Sequence, residues 1–162
     1  MRYFHQFLYY NQPRCIYLWM KTRNNGLSRV YNPESVGKDR TRLSKSTVLA
    51  LRELMKQKEP NAETKDLTAF VVMALAEISE NIDTSVEAWE KRGYWVKADK
   101  FRLEWEWAGS CSKAMKTALL AEDWANVAMT AVKIGQKLNK IMIPEHHRLG
   151  MPWVGAWKKL NS

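Results

Sequence analysis

The chain has 162 residues and 46% of them are hydrophobic, so it is long enough to bury a core as one domain without disulfides or a structural metal. Only 7 Gly and 5 Pro are present, which leaves little material for the turns of an all-β fold and favours helices. The longest apolar run, residues 67–76, has about half the length that a membrane-spanning helix requires, so we expect no membrane insertion.

The formal net charge of +9 is unevenly distributed along the chain. Residues 1–45 carry nine Lys or Arg against two acidic residues, whereas residues 46–108 carry nine against twelve. Residues 109–162 carry eight against three. The middle is therefore mildly acidic and both ends are basic, a layout that indicates a basic arm on a nearly neutral body.

Cys15 and Cys111 are isolated, with no CxxC or Cys/His spacing around them. Neither a disulfide framework nor a zinc site is indicated, and two reduced thiols are typical of a cytoplasmic protein. We therefore predict a cytoplasmic location.

Residues 1–43 mix several turn or breaker groups with no sustained periodicity and are predicted to form a basic, irregular arm. Two alternatives remain for its beginning. The first is an organelle-targeting leader, since no acidic residue precedes Glu34. The second is that the native chain starts at Met20 and the residues before it are translated upstream sequence.

The folded domain is predicted over residues 44–162, beginning with a helix from Ser44 to Lys58 that Ser44 or Ser46 would cap and Pro60 would stop. A second helix is predicted from Thr64, as its N-cap, to Gly93, because apolar residues recur at steps of three and four. These patterns place the first two helices on either side of a short connection.

The third helix carries a heptad seam, in which apolar or small residues alternate at steps of four and three; its members are Tyr94, Ala98, Phe101, Trp105, Ala108, Ser112, Met115 and Leu119. A fourth helix is predicted from Asp123, a good N-cap, to Pro144. Short connections predict an antiparallel, up-down four-helix bundle, with residues 145–162 as a tail anchored by Trp153 and Trp157. The core should include Phe70, Ile78, Trp89, Phe101, Trp105 and Leu138.

A second face of the third helix, opposite the seam, carries Leu103, Trp107, Ser110 and Ala114. Solvent is expected on this side of a plain bundle, so an outward Trp among small residues indicates that something packs there. The two alternatives are the tail residues Trp153 and Trp157, or a second protomer in a homodimer.

No metal or other cofactor is predicted, because the helices contain no histidine and bundle-type metal sites need Glu and His from facing helices. Glu145, His146 and His147 are interpreted as a solvated turn after Pro144. The sequence lacks the common phosphate-binding and nucleophile motifs. The best remaining candidates for a catalytic acid or base are Glu104 and Glu106, which flank Trp105. On a helix their side chains point about 200° apart.

Basic residues form two groups that suit phosphate contacts. In the arm they are Lys38, Arg40, Arg42 and Lys45, and on the fourth helix they are Lys133, Lys137 and Lys140. Our first hypothesis is a non-catalytic interaction or assembly module whose partner is another protein or, in a homodimer, a second copy of the chain. The alternative is a nucleic-acid backbone-binding protein that uses its basic ends, and the third is an enzyme with a carboxylate site of no familiar motif.

Overall fold

A computed structural model describes residues 33–144 and 146–162. These residues form five helices and contain no strand: α1 (Pro33–Leu54), α2 (Ala62–Glu90), α3 (Trp95–Leu120), α4 (Trp124–Lys137) and α5 (Ala156–Leu160). The prediction of an all-helical protein is thereby confirmed. Within the described part of the chain, none of the helices has an apolar stretch long enough to cross a bilayer.

Helix α2 lies at the centre of the fold and packs against α1, α3 and α5, whereas α4 packs mainly on α3. Its central turns are buried almost completely, with Leu67, Val71, Leu75 and Ile78 fully inaccessible to solvent. Such a helix is apolar over much more than one stripe, which is expected for an element that is covered on several sides.

The contact between α2 and α3 is lined by small residues of α3. Ala98, Ala108 and Ser112 are buried there, and a Cβ on Gly109 would lie 2.9 Å from the Ser79 Oγ. The close approach lets the Ser112 hydroxyl donate a buried hydrogen bond of 2.8 Å to the carbonyl of Val72 in α2.

Ion pairs at both ends of this contact show that α2 and α3 run in opposite directions. Lys65 at the start of α2 binds Glu122 just after α3, at 2.6 Å. Arg102 near the start of α3 binds Glu90 at the end of α2, also at 2.6 Å. Both pairs are substantially exposed, so they orient the helices more than they stabilise them.

The predicted seam of the third helix is confirmed over most of its length. Its small members are buried with Met115 and Leu119, while Phe101 and Trp105 are half-buried against the core. The exception is Tyr94, which precedes the first turn of α3 and is 58% exposed. Of the predicted core, Phe70, Ile78 and Leu138 are buried, and Trp89 packs against the same cluster.

The first helix begins at Pro33 and not at Ser44, so residues 33–43, assigned to the irregular arm, are helical. The error came from interpreting Asn-Pro-Glu as a breaker, although Pro is well suited to the first helical position because its fixed φ is already helical. Ser44 and Ser46 are consequently not caps but buried residues inside α1. The helix ends at Leu54, before the predicted Lys58.

The other helix ends combine agreement with small corrections. Asp123 caps α4 as predicted, accepting a hydrogen bond from the backbone N–H of Asn126. The cap of α2 is Asn61, and Thr64 is its reciprocal partner in a capping box. Helix α4 ends at Lys137, earlier than predicted, and Asn139, a poor helix former, follows two residues later.

The tail returns across the bundle and is held by one carboxylate of α2. Asp66 accepts hydrogen bonds from the backbone N–H groups of Gly155, at 3.0 Å, and Trp157, at 2.8 Å. Gly155 has a φ of 73°, in the left-handed region that favours glycine. Trp153 is 4% exposed and belongs to the core, as expected for an anchored tail.

Residues 1–32, which include Cys15, the predicted start at Met20 and most of the predicted arm, lie outside the described residues, as does Glu145. The division into an arm and one folded domain therefore stays a prediction, apart from the earlier start of α1.

We predict that Asp66→Ala will lower the free energy of unfolding by about 1–3 kcal/mol, because two partly buried N–H groups of the tail lose a charged acceptor. Urea denaturation followed by circular dichroism measures the change. Asp66→Asn, which keeps one acceptor oxygen, should recover part of the loss. Asp83→Ala, an exposed carboxylate of the same helix, is the matched control, and an equal loss in this control would contradict the assignment.

Candidate interaction surfaces

The second face of α3, which we call the α3 outer face, consists of Leu103, Trp107, Ser110 and Ala114. Leu103 is 70% exposed, and Ser110 and Ala114 are also exposed. Trp107 is half-buried and stacks on Trp105, with ring centroids 5.9 Å apart. The structure thus keeps these four residues on one side of α3 and leaves most of that side open to solvent.

One of the two sequence alternatives placed the tail over the α3 outer face, but the tail helix packs on α2. Its helix α5 contacts α2, and Trp157 lies over Lys65 of α2, with Nζ 5.7 Å from the ring centroid. The partial burial of Trp107 instead comes from packing beside Trp105 and the core. Pro152, Ala156 and Lys159 of the tail also line a cavity with α1 and α2, so cover by α5 does not explain the α3 outer face.

A second surface lies where α2 ends and α3 begins, and sequence reasoning did not identify it. An open cleft of about 640 Å³ is lined there by aromatic, aliphatic and charged residues: Trp89, Gly93, Tyr94, Trp95, Val96, Lys97, Lys100, Phe101 and Glu104. Trp95 and Val96 are 61% and 70% exposed. The signal was present in the sequence, because three consecutive large apolar residues at a helix start cannot all face one core.

The aromatic rings deeper in this region are covered by cations of the same chain. Lys97 places its Nζ 4.3 Å from the ring centroid of Trp89. Arg40 of α1 lies over Phe101, at 4.9 Å, and over Trp105, at 5.5 Å. The Arg40 contacts connect the N-terminal half of α1 to that of α3, and the Lys97 contact connects the start of α3 to the end of α2.

The predicted phosphate-contact group on α1 is divided by the structure. Lys38, Arg42 and Lys45 follow helical spacing and line one open cleft of about 570 Å³ with Leu149 of the tail. Arg40, two positions from both Lys38 and Arg42, instead faces the aromatic rings of α3. Three of the four predicted residues are therefore brought together.

The second basic group lies on and after α4. Lys133 and Lys137 are exposed on α4 and close enough to Cys111 of α3 to influence its thiol, and Lys140 is exposed beyond the end of the helix. Burial raises the pKa of the Cys111 thiol, and the two lysines oppose this shift only in part. Cys111 is thus a packing residue whose thiolate is disfavoured.

A cavity of about 230 Å³ lies between α1, α2 and the tail. Its walls are largely apolar, including Leu43, Phe70, Met73 and Ala156, and its rim carries charges of both signs, among them Asp39 and Lys159. The volume is below the roughly 300 Å³ at which pockets for drug-sized ligands begin. We therefore treat it as a gap under the tail and not as the leading site.

The residues considered for catalysis or metal binding are not assembled into a site. Glu104 and Glu106 are both exposed, and only Glu104 borders the cleft beside Trp95. His146 is exposed, whereas the Nδ1 of His147 is buried without a hydrogen-bond partner. Over residues 33–144 and 146–162, no group of three or more His, Cys, Asp or Glu is arranged to hold a metal ion.

We predict that Arg40→Met destabilises the protein by about 1 kcal/mol through loss of the cation–π contacts. A double-mutant cycle with Phe101→Leu, measured by urea denaturation, isolates the part that depends on this ring. Arg52→Met, at an exposed position of the same helix, is the control. A coupling energy of zero between Arg40 and Phe101 would refute the role assigned to the guanidinium.

Comparison with known proteins adds no identification: no protein-family description, no curated protein and no solved structure matches this chain.

Proposed function

We propose that the protein is a non-catalytic helical interaction module that forms a homodimer through the α3 outer face. The observation that carries this proposal is Leu103, a large aliphatic residue in the interior of α3 that is 70% exposed beside the half-buried Trp107. Scattered exposed apolar residues are common, but here they form a continuous stripe with two small residues.

The spacing of the stripe suits a two-fold pairing of antiparallel α3 helices. If the dimer axis passes midway between Trp107 and Ser110, Leu103 faces the partner's Ala114 and Trp107 faces the partner's Ser110. Each large residue then packs against a small one, which permits close approach of the helices and interdigitation of side chains.

Charges beside the stripe are compatible with the same pairing. Glu106 and Lys113 are exposed and lie seven residues apart, on one side of the α3 outer face. A two-fold antiparallel arrangement brings Glu106 of one copy near Lys113 of the partner subunit. A parallel two-fold pairing would instead place the Glu106 and Lys113 side chains of the two copies on opposite edges of the interface, so this contact favours the antiparallel register.

We further propose that α1 to α4 form the antiparallel, up-down four-helix bundle expected from the sequence. The opposed directions of α2 and α3 and the short connections support it. Helix α4 has only 14 residues and makes few contacts with α1, so the fourth helix of this bundle is shorter than the other three. A basic N-terminal arm and a cytoplasmic location stay predictions of the sequence.

The homodimer is tested by Leu103→Glu. We expect the unmodified protein to show a concentration-dependent monomer–dimer equilibrium in sedimentation-velocity experiments, and the variant to sediment as a monomer at the same concentrations. Because Leu103 is mostly exposed, the variant should keep its helical circular-dichroism spectrum. The free energy of unfolding of the monomer should change by no more than about 0.5 kcal/mol.

Met142→Glu is the matched control, since Met142 is 80% exposed but lies outside α3. This control should dimerise like the unmodified protein. A chain that is monomeric throughout the micromolar range, or a Leu103→Glu variant that still dimerises, would contradict self-association through this face.

The cleft formed by Lys38, Arg42 and Lys45 supports a second candidate function, contact with nucleic-acid phosphates. Three cations on successive turns of one helix face can neutralise adjacent phosphates and release their counterions.

For this candidate, we expect replacement of Lys38, Arg42 and Lys45 by Gln to reduce the slope of log K against log salt by roughly 2 to 3 on duplex DNA. Fluorescence anisotropy across a salt series measures the slope. Gln at Lys58, Lys116 and Lys158, all exposed and outside the cleft, serves as the charge-matched control. Equal slopes for the two triple variants would mean that net charge alone, and not the cleft, governs binding.

A further inference from the structure

The connection between α2 and α3 forms a tip in which apolar and basic residues alternate, and we call residues 91–100 the α2–α3 tip. Tyr94, Trp95 and Val96 are 58%, 61% and 70% exposed, although all three are large and apolar or amphipathic. They are consecutive, so no single packing partner within the bundle accounts for them. Exposing this much apolar surface at one end of the fold is unfavourable unless another phase covers it.

The charge of the tip indicates what kind of surface could cover these apolar residues. Exposed Lys91, Arg92, Lys97 and Lys100 flank the apolar residues along the chain, and the single acidic residue of the segment, Asp99, is paired with Arg102 at 2.9 Å. The segment therefore has a formal charge of +3, in a stretch of the chain that is acidic on the whole. Glu104 borders the cleft, and Glu90, directly before the segment, is paired with Arg102 at 2.6 Å. A basic rim around an apolar centre is complementary to a surface with anionic groups outside and hydrocarbon beneath.

A lipid surface fits these residues better than a single-stranded nucleic acid does. Bases stack on free aromatic faces, but Trp89 and Phe101, which line the cleft, are already covered by Lys97 and Arg40. The most exposed of the three apolar residues is Val96, an aliphatic side chain that cannot stack on a base but gains free energy by leaving water. Trp95 and Tyr94, each with a polar group on an apolar ring, are suited to the headgroup region of a bilayer.

We infer that the α2–α3 tip docks on membrane surfaces containing anionic phospholipid, with Tyr94, Trp95 and Val96 entering the headgroup region and the surrounding Lys and Arg side chains binding lipid phosphates. No helix needs to rearrange, since the apolar residues are already exposed at the end of the bundle. The docking depends on the tip and not on the α3 outer face, so it holds for a monomer as well as a dimer.

The test is flotation of the full chain with vesicles of phosphatidylcholine mixed with phosphatidylserine, compared with vesicles of phosphatidylcholine alone. We expect Trp95→Ser combined with Val96→Ser to weaken partitioning into the mixed vesicles by about tenfold or more, because two apolar side chains no longer leave water. Lys91→Gln combined with Arg92→Gln should weaken it by about tenfold on the mixed vesicles and have little effect on the neutral ones.

Leu120→Ser is the matched control, because Leu120 is 54% exposed at the opposite end of α3. Unchanged partitioning of this control, with loss in both tip variants, would support docking through the tip. Partitioning of the Trp95→Ser, Val96→Ser variant equal to that of the unmodified chain would overturn it. The inference also fails if the unmodified chain does not bind the mixed vesicles. Loss of oligo(dT) binding by the Trp95→Ser, Val96→Ser variant would then show that the partner is a single-stranded nucleic acid. Circular dichroism of each variant verifies that the helices are intact.

Discussion

Small side chains line the contact between α2 and α3 over most of its length, and the positions of the other helices follow from this close approach. Ala108, Gly109 and Ser112 let the two backbones come near enough for the Ser112 hydroxyl to reach the carbonyl of Val72. A hydroxyl buried without such a partner would cost free energy, so the bond also selects the register between the helices. A shift of α3 by one turn would leave the hydroxyl unsatisfied and place larger side chains against Ser79.

The same small seam displaces the aromatic residues of α3 to the margins of the core. Phe101 and Trp105 occupy the half of the bundle beyond the reach of the short α4, and Arg40 of α1 covers their rings. A guanidinium can cover an apolar ring and still remain partly hydrated, which a leucine at the same position could not do. The protein thus closes this half with a cation where a longer fourth helix would otherwise be needed.

Features that depend on local periodicity were predictable from the sequence, and those that depend on partners distant in the chain were not. The seam from Ala98 to Leu119 and the cap at Asp123 follow from spacing and residue type alone. The start of α1 at Pro33 was missed because its first turns carry few apolar residues and proline was interpreted as a stop. The role of Arg40 could not be inferred, since in sequence it belongs to a run of equivalent basic residues and only the packing of α3 distinguishes it. The exposed tip was not predicted because the spacing of the seam assigns Tyr94 to the buried side of α3, whereas Tyr94 precedes the helix and is exposed.

The carboxylate of Asp66 joins segments that are 89 and 91 residues apart in the chain. During synthesis, α2 leaves the ribosome long before Gly155 and Trp157 exist, so its first turns and the groove toward α1 remain uncovered through the translation of α3 and α4. Contacts of such long range form late, because the entropy of closing the loop must be overcome before they stabilise the fold. The nascent chain therefore passes through a stage in which α1 to α4 are present with an open apolar groove, the stage at which a chaperone would have the most surface to bind.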